Sequence, residues 1–377
     1  MGSLLTGGSS SKGNKESCKR RKVSPLGELR PWSELPDELL NIISKRLSMV
    51  DYFSFGHVCT KWRSSSMASS KDFFSSVPPL VIVLSSRGKK ACFFFNICDG
   101  RRYETKLPCF TGKFLIGSSS GYLIMEGTKQ DLWLTNPVTG HKLEMIKLLQ
   151  PTSRVHLNDL TIFASTIPQK DFLVVSISFI NVQLQFRRSK DVNWHIYKFP
   201  SKSWRFFDLV VFKFKVYALG TDCQIATLSL KSPPSLTLLK LKGKPRLTNF
   251  VKFVASDQRL LVVDFIPSLR LEVYEVDISR MEWVKVTDLG DQALFISDMK
   301  SSRLCNATKW GGFSNCLYHL TFMAQRCTLY SLAGKVIGSI EIDRGGKEKS
   351  PRLNYGWFFP EESYEMDIVW DDKYDVI

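Results

Sequence analysis

Histidine is scarce in this chain of 377 residues, which has five, and none of its nine cysteines stands in a C-x-x-C pair. A structural zinc site is therefore not expected, because its ligands normally arrive as closely spaced pairs. Missing too are the glycine patterns that cradle phosphates and the G-x-S-x-G of a strained nucleophile turn. The histidines are dispersed at 57, 141, 156, 195 and 319, so no base stands beside a candidate nucleophile. His195, between Trp194 and Tyr197, reads as a satisfied histidine on an alternating strand. No catalytic residue, metal or cofactor is expected, and an enzyme is disfavoured. The longest apolar stretches, such as Ala91 to Cys98 and Leu209 to Phe212, stop far short of the ~18 to 20 residues that cross a bilayer, so no membrane association is expected. No secretory signal is visible at the start. The cysteines at 18, 59, 92, 98, 109, 223, 305, 316 and 327 then read as small buried hydrophobes of a reducing compartment, and Asn306-Ala307-Thr308 matches a glycosylation acceptor only formally.

Charge is plentiful but uneven, with 52 Lys and Arg against 36 Asp and Glu. Residues 1 to 30 carry seven cations and two carboxylates, whereas 361 to 377 carry seven carboxylates and one lysine. The middle is strongly basic, which speeds encounter with acidic partners and says nothing about fold. The carboxylates Glu361, Glu362, Glu365, Asp367, Asp371 and Asp372 do not have the glycine turn and spacing of a Ca²⁺ loop. They read as an acidic edge pairing with the basic body.

Three regions follow from composition. Residues 1–30, rich in Gly, Ser and Lys, cannot bury enough surface to offset ordering and read as a disordered tail. Within it, Lys19, Arg20, Arg21 and Lys22 form a candidate nuclear-import run, a solvated basic tail being the competing reading. Residues 31–77 turn helical. Ser33 can cap, Pro36 fits a first turn, and Asp37 and Glu38 face the positive helix end. Leu35, Leu39, Ile42 and Ile43 recur at helical spacing, widened by Leu40 and Leu47. Asp51 offers a second cap ahead of Phe55, Val58, Cys59 and Trp62, and the serines at 64–66, 69 and 70 loosen the pattern toward a linker.

Residues 78–377 read as short β-branched and aromatic runs punctuated by Gly, Pro, Asn and Asp. Phe212, Phe214 and Val216 against Lys213 and Lys215 predict a half-buried strand. Apolar runs starting at Tyr122, Phe172, Val216, Leu260 and Leu317 lie 50, 44, 44 and 57 residues apart. In four of them another strand starts 9 to 11 residues later, at Leu132, Ile225, Leu271 and Cys327; the block from Phe172 reads as having a longer insertion before Trp194. Leu271 to Val276 and Trp283 to Val286 form a hairpin across Asp277 to Arg280. Such a period is that of β-propeller blades, and about 300 residues at roughly 45 per blade allow six or seven. A pair of β-sandwiches with coincidental spacing is the competing architecture.

The helical segment resembles the F-box, the adaptor-binding module of cullin-RING ubiquitin ligase receptors. The match lies in Leu35-Pro36-Asp37-Glu38-Leu39-Leu40, then Ile43, Leu47 and Asp51, and finally Val58-Cys59-Thr60-Lys61-Trp62-Arg63. The remainder is similar to the propeller-like region that follows the F-box in a large plant family, through Trp133 to Gly140, Val273 to Asp277 and Asn354 to Pro360. Departures are Tyr52 to Phe55, where the family often has Leu or Arg, a single double glycine at Gly311-Gly312, and one unrepeated Trp-Asp pair at 370–371. The resemblance implies a multidomain α+β chain, with a small all-α F-box before an all-β propeller that binds a protein substrate. It implies docking on a Skp-type adaptor, and through it on cullin and RING subunits, by Leu35, Pro36, Leu39, Leu40, Ile43, Leu47, Val58, Cys59 and Trp62. The competing reading makes this stripe the seam between helices and β-domain. A basic propeller binding nucleic acid, through Lys240 to Arg246 or Arg187-Arg188, or a scaffold outside any ligase, ranks second. The chain is expected in nucleus and cytoplasm.

Overall fold

In the computed structural model the described residues are 32–85, 92–105, 113–127, 131–137, 142–147, 160–166, 171–178, 183–188, 191–198, 206–213, 215–229, 235–299, 301–321, 326–342 and 353–362. A 3-10 turn at Trp32–Glu34 leads into α1 (Asp37–Ser44), α2 (Met49–Gly56) and α3 (Thr60–Ser75). The caps differ from those expected. Pro36 occupies the N-cap of α1 without a side-chain bond, its fixed φ of −56° setting the entry, and Ser33 lies in the 3-10 turn. Ser48, not Asp51, caps α2: its hydroxyl accepts the Asp51 N–H at 3.3 Å and donates to the Asp51 carboxylate at 2.7 Å.

The serine-rich stretch is helix rather than linker. Ser69 donates to the Ser65 carbonyl at 3.0 Å and Ser70 to that of Met67 at 2.8 Å, so the hydroxyls bond back into the helix instead of competing with it. The three helices close on Tyr52, fully buried, whose hydroxyl donates to the Ser66 carbonyl and whose ring stacks on Phe73 at 3.9 Å.

Six sheets follow. The first holds β1 (Leu80–Ser85), β2 (Cys92–Asn96) and β3 (Arg102–Thr105); the second β4 (Phe114–Ser119), β5 (Tyr122–Glu126), β6 (Asp131–Thr135) and β7 (Lys142–Lys147). The third holds β8 (Leu160–Thr166), β9 (Asp171–Ser178), β10 (Gln183–Arg188) and β11 (His195–Lys198); the fourth β12 (Phe206–Phe212), β13 (Lys215–Gly220), β14 (Ile225–Ser229) and β15 (Ser235–Leu238). The fifth holds β16 (Val251–Ala255), β17 (Leu260–Ile266), β18 (Arg270–Asp277) and β19 (Glu282–Val286); the sixth β20 (Gln292–Ser297), β21 (Arg303–Asn306), β22 (Cys316–Leu320), β23 (Arg326–Ser331) and β24 (Val336–Glu341). The last strand, β25 (Leu353–Phe358), returns to the first sheet and pairs with β1, Leu80 opposite Phe358 and Ser85 opposite Leu353. The inner strands contact one another in sequence around the ring. Among the described residues this is a six-bladed β-propeller closed by its last strand, and a three-helix module precedes it.

Sequence period and blade coincide for a physical reason. The runs at Tyr122, Phe172, Val216 and Leu260 are the second strands of their blades, buried on both faces, so that alternate side chains enter different cores. On β17, Leu260 and Val262 face the fourth blade while Leu261, Val263 and Phe265 face the sixth. The wider step to Leu317 comes from an inserted inner strand: β21 lies antiparallel to β20, and β20 pairs parallel with β22, making the sixth blade five-stranded.

Two expectations within the blades are corrected. The alternation from Phe212 to Val216 is a hairpin, not one strand, because Phe212 pairs with Lys215 and Lys213 takes a positive φ of 46°. The third blade has no long insertion before Trp194, since β10 fills it and pairs with both β9 and β11. The cysteines described are mixed: Cys316 and Cys327 are buried, Cys59, Cys223 and Cys305 partly so, and Cys98 is exposed in the turn between β2 and β3.

Candidate functional site

The helices divide their apolar side chains between buried and open positions. Leu40, Tyr52, Phe55, Phe73 and Phe74 are buried. Through Met49, Tyr52, Phe73 and Phe74 the helices join the core of the first and second blades, packing against Leu80, Ile82 and Phe358. Other apolar side chains are open: Leu39 and Ile42, about one turn apart on α1, are 46% and 52% exposed, Val58 in the turn after α2 is 54% exposed, and Pro36 at the N-cap of α1 is exposed. Burying such side chains is worth roughly 1.5–3 kcal/mol each, so three of them on a module this small favour a partner.

The residues singled out from the sequence are not all open. Leu35, Ile43, Leu47, Cys59 and Trp62 are partly covered, and Leu47 packs toward the blade core. Leu40 has no exposure at all and supports the bundle, in which α1 packs on α3. Trp62 is not a free aromatic anchor: its indole N–H donates to the Trp32 carbonyl at 2.9 Å and its ring lies 4.7 Å from that of Phe55. The open indole is that of Trp32, 58% exposed, ahead of the motif and missed because the pattern begins at Leu35. Lys61 reaches Asp37 at 3.9 Å, tying α3 to the first turn of α1. Burial raises the pKa of Tyr52, with its bonds to Ser69 and Ser66 opposing, so the phenol stays neutral. The run Lys19, Arg20, Arg21 and Lys22 lies outside the described residues, as do Glu365, Asp367, Asp371 and Asp372.

Where α3 meets the propeller, a cavity of about 370 Å³ opens. Its wall comprises Phe74 and Ser75 of α3, the turn Ser256 to Arg259 after β16, residues 303–306 of β21, and Phe359 to Glu361 after β25. This fixes the helix side of the propeller as the side where its inner strands end. Arg303 lines this mouth, with Glu361 and Asp257 each at 3.6 Å and Glu362 in direct contact, so part of the acidic edge does pair with the basic body. Cys305 in the same wall is a neutral thiol, burial pushing it up to about 12, which suits packing rather than attack.

Elsewhere, His195 meets Asp191 at 3.2 Å and stacks on Phe186, a satisfied but half-exposed ring. Arg187 donates to the Asp191 carbonyl at 3.1 Å, so that basic pair is in part consumed by its own turn. Lys240, Lys242, Lys244 and Arg246 all lie exposed.

A family model described as KIB1-4 beta-propeller matches residues 94–338, and one for the F-box domain matches residues 32–73. Among curated proteins of Arabidopsis thaliana, F-box protein At5g25290 is 30% identical over 114 residues, covering 30% of this chain and 28% of that protein. F-box/kelch-repeat protein At2g24250 is 25% identical, covering 76% of this chain and 81% of the relative. F-box protein At2g26160 is 24% identical, covering 76% and 94%. In the first of these, and in a further F-box relative matched at 29% identity over 119 residues, the chain spans less than a third of the relative's own length.

Proposed function

Because the chain belongs to the KIB1-4 beta-propeller family and carries an F-box ahead of the propeller, we propose that it is the substrate-recognition subunit of a Skp-cullin-F-box ubiquitin ligase. The exposure of Leu39, Ile42 and Val58 supports this reading: the helices bury Met49, Tyr52, Phe73 and Phe74 in the body of the chain and leave these side chains for another subunit. A Skp-type adaptor covers them, with Pro36, Leu35, Ile43, Cys59 and Trp62 at the margin and Leu40 and Leu47 bracing the module from within. The adaptor links to cullin and RING subunits, and the propeller holds a protein substrate within reach of the ubiquitin carrier. The chain itself performs no chemistry in this scheme. Lys19 to Lys22 serve nuclear entry, so the receptor works in nucleus and cytoplasm.

The test is capture of a purified Skp-type adaptor by the full chain. Capture is expected for the intact protein and is lost when Leu35 and Pro36 are both changed to Ala. Undiminished capture after deletion of residues 31–70 overturns the assignment. A scaffold acting outside a ligase would use the same side chains, and differs in that its bound proteins do not accumulate when the helical module is removed.

A further inference from the structure

On the side turned away from the helices, the fourth and fifth blades enclose a second cavity of about 110 Å³. It lies between the Gly220 to Cys223 turn that ends β13 and the Leu247 to Val251 stretch that enters β16. Since the helix-side cavity is walled by the turn at the far end of β16, the length of that strand separates the two, roughly 15 Å at ~3.3 Å per residue.

The loop bounding this cavity is built, not slack. Asp264, fully buried, accepts the Thr248 N–H at 3.1 Å and the Thr248 hydroxyl, and pairs with Arg270 at 2.9 Å. Arg270 also donates to the Arg246 carbonyl at 2.8 Å, and the Cys223 thiol donates to the Pro245 carbonyl at 3.2 Å. Three residues of one loop, Pro245, Arg246 and Thr248, are thereby fixed to two blades. A buried carboxylate needs such partners to persist, and the loop conformation is what they hold in place.

What the pinned loop displays is unusual for a solvated surface. Phe250 is 66% exposed, and Leu269, on the turn joining β17 to β18, is 82% exposed. The same loop carries Lys240, Lys242, Lys244 and Arg246, all exposed and, among the described residues, in no ion pair. Only Asp222 brings a carboxylate into the cavity wall. The recess itself is mainly polar, lined by Asp222, Thr248 and Asn249 among others, but the exposed Phe250 and Leu269 beside unneutralised cations are complementary to a peptide with acidic residues around one aliphatic side chain. At about 110 Å³ the recess is smaller than the ~150 Å³ that holds a benzene ring, so it does not take up a nucleobase. Among the described residues of the loop 239–250, Phe250 is the single aromatic ring, whereas single-stranded nucleic acid is held by successive aromatic platforms.

We propose that this face receives the substrate: an acidic protein segment packs one branched aliphatic side chain on the exposed Phe250 and Leu269 while its carboxylates meet Lys244 and Arg246. The assignment of the segment as a ligase substrate rests on the receptor reading above; the binding event itself does not.

The test is selection of a random dodecapeptide display library on the full chain, alongside a variant carrying Lys244→Glu and Arg246→Glu. Acidic sequences with one Leu, Ile or Val are expected from the intact chain. A synthetic peptide of that consensus should bind the charge-reversed variant on the order of tenfold more weakly, and replacement of its aliphatic residue by Ala should weaken it as well. No enrichment, or enrichment that survives charge reversal, overturns the proposal. So does tight binding of a single-stranded oligonucleotide that is lost in the variant while no peptide is enriched. Adaptor capture by the same two proteins is measured in parallel. Capture by both is expected, and its absence from the intact chain would remove the receptor reading while leaving the peptide result to stand or fall alone.

Discussion

Arg303 and Glu362 form an ion pair at the helix-side mouth of the propeller, 59 residues apart in sequence and both largely covered. Arg303 comes from β21, the extra inner strand of the sixth blade, and Glu362 from the turn that follows the closing strand β25. Glu362 also accepts the Gly121 N–H at 3.1 Å, from the turn between β4 and β5. One carboxylate therefore joins the sixth, first and second blades, alongside the β1–β25 pairing that closes the ring.

Changing Arg303 to Ala leaves Glu361 and Glu362 crowded together without their cation. Breaking a fully buried pair costs about 3–5 kcal/mol; with some solvent access here, a loss of about 2–3 kcal/mol is expected. Urea unfolding followed by tryptophan emission should show a lower midpoint at an unchanged slope. A midpoint equal to that of the intact chain would mean that the pair contributes nothing to closure.

A second charged cluster sets a pH dependence. Glu272 accepts from Lys285 at 2.9 Å, from Arg270 and from the Tyr274 hydroxyl at 3.3 Å. The Lys285 bond is the largest influence holding its carboxyl below the usual range. A carboxylate depressed in the folded state contributes stability fully present above its unfolded pKa, near 4.3, and lost as pH falls toward the folded value. The urea midpoint should thus drop between about pH 5 and pH 3, and drop less steeply in Glu272→Gln. Parallel curves for the two proteins would show that other carboxylates govern the acid limb.

The propeller was legible in the sequence because the second strand of each blade feeds two cores at once, and so reads as an unbroken apolar run such as LLVV at Leu260. The third strand of the third blade escaped because Leu184 and Phe186 are its apolar core residues, and Gln185, buried but polar, together with Arg187 and Arg188 breaks the apolar run. The motif around Trp62 located the helices but not the direction of the indole, which depends on a carbonyl 30 residues earlier. Tyr52 looked like a departure from the family pattern and is the center of the helical pack. The loop pinned by Asp264 gave no local signal, since its partners come from three separate segments.

Leu39, Ile42 and Leu40 are near neighbours on α1 with opposite environments, which separates docking from folding. Replacing Leu39 and Ile42 by Asp should leave the thermal midpoint essentially unchanged, exposed positions costing within about 0.5 kcal/mol, yet weaken adaptor binding on the order of a hundredfold. Leu40→Ala should instead destabilise the helical module by about 2–5 kcal/mol through the cavity it leaves. Isothermal titration with the adaptor and melting by circular dichroism read the two effects apart. Full affinity in the Asp variant would place the adaptor surface elsewhere.

The Gly311-Gly312 pair has a local explanation that needs no repeat motif. Gly311 takes a φ of 78°, ending the short turn at Thr308–Trp310, a conformation that costs other residues roughly 1–2 kcal/mol. At Gly312 a Cβ would fall 1.9 Å from Cζ3 of the Trp310 ring. That ring packs 6.1 Å from Phe295 and 6.2 Å from Tyr318 and lines the cavity beneath α3, so it can yield only by giving up those contacts. Gly312→Ala should therefore cost about 1–3 kcal/mol, as overpacking does, and perturb the near-ultraviolet circular dichroism of the indole, whereas Gly311→Ala should destabilise by backbone strain with little spectral change. An unaltered near-ultraviolet spectrum in Gly312→Ala would show that the tryptophan does not sit over the glycine.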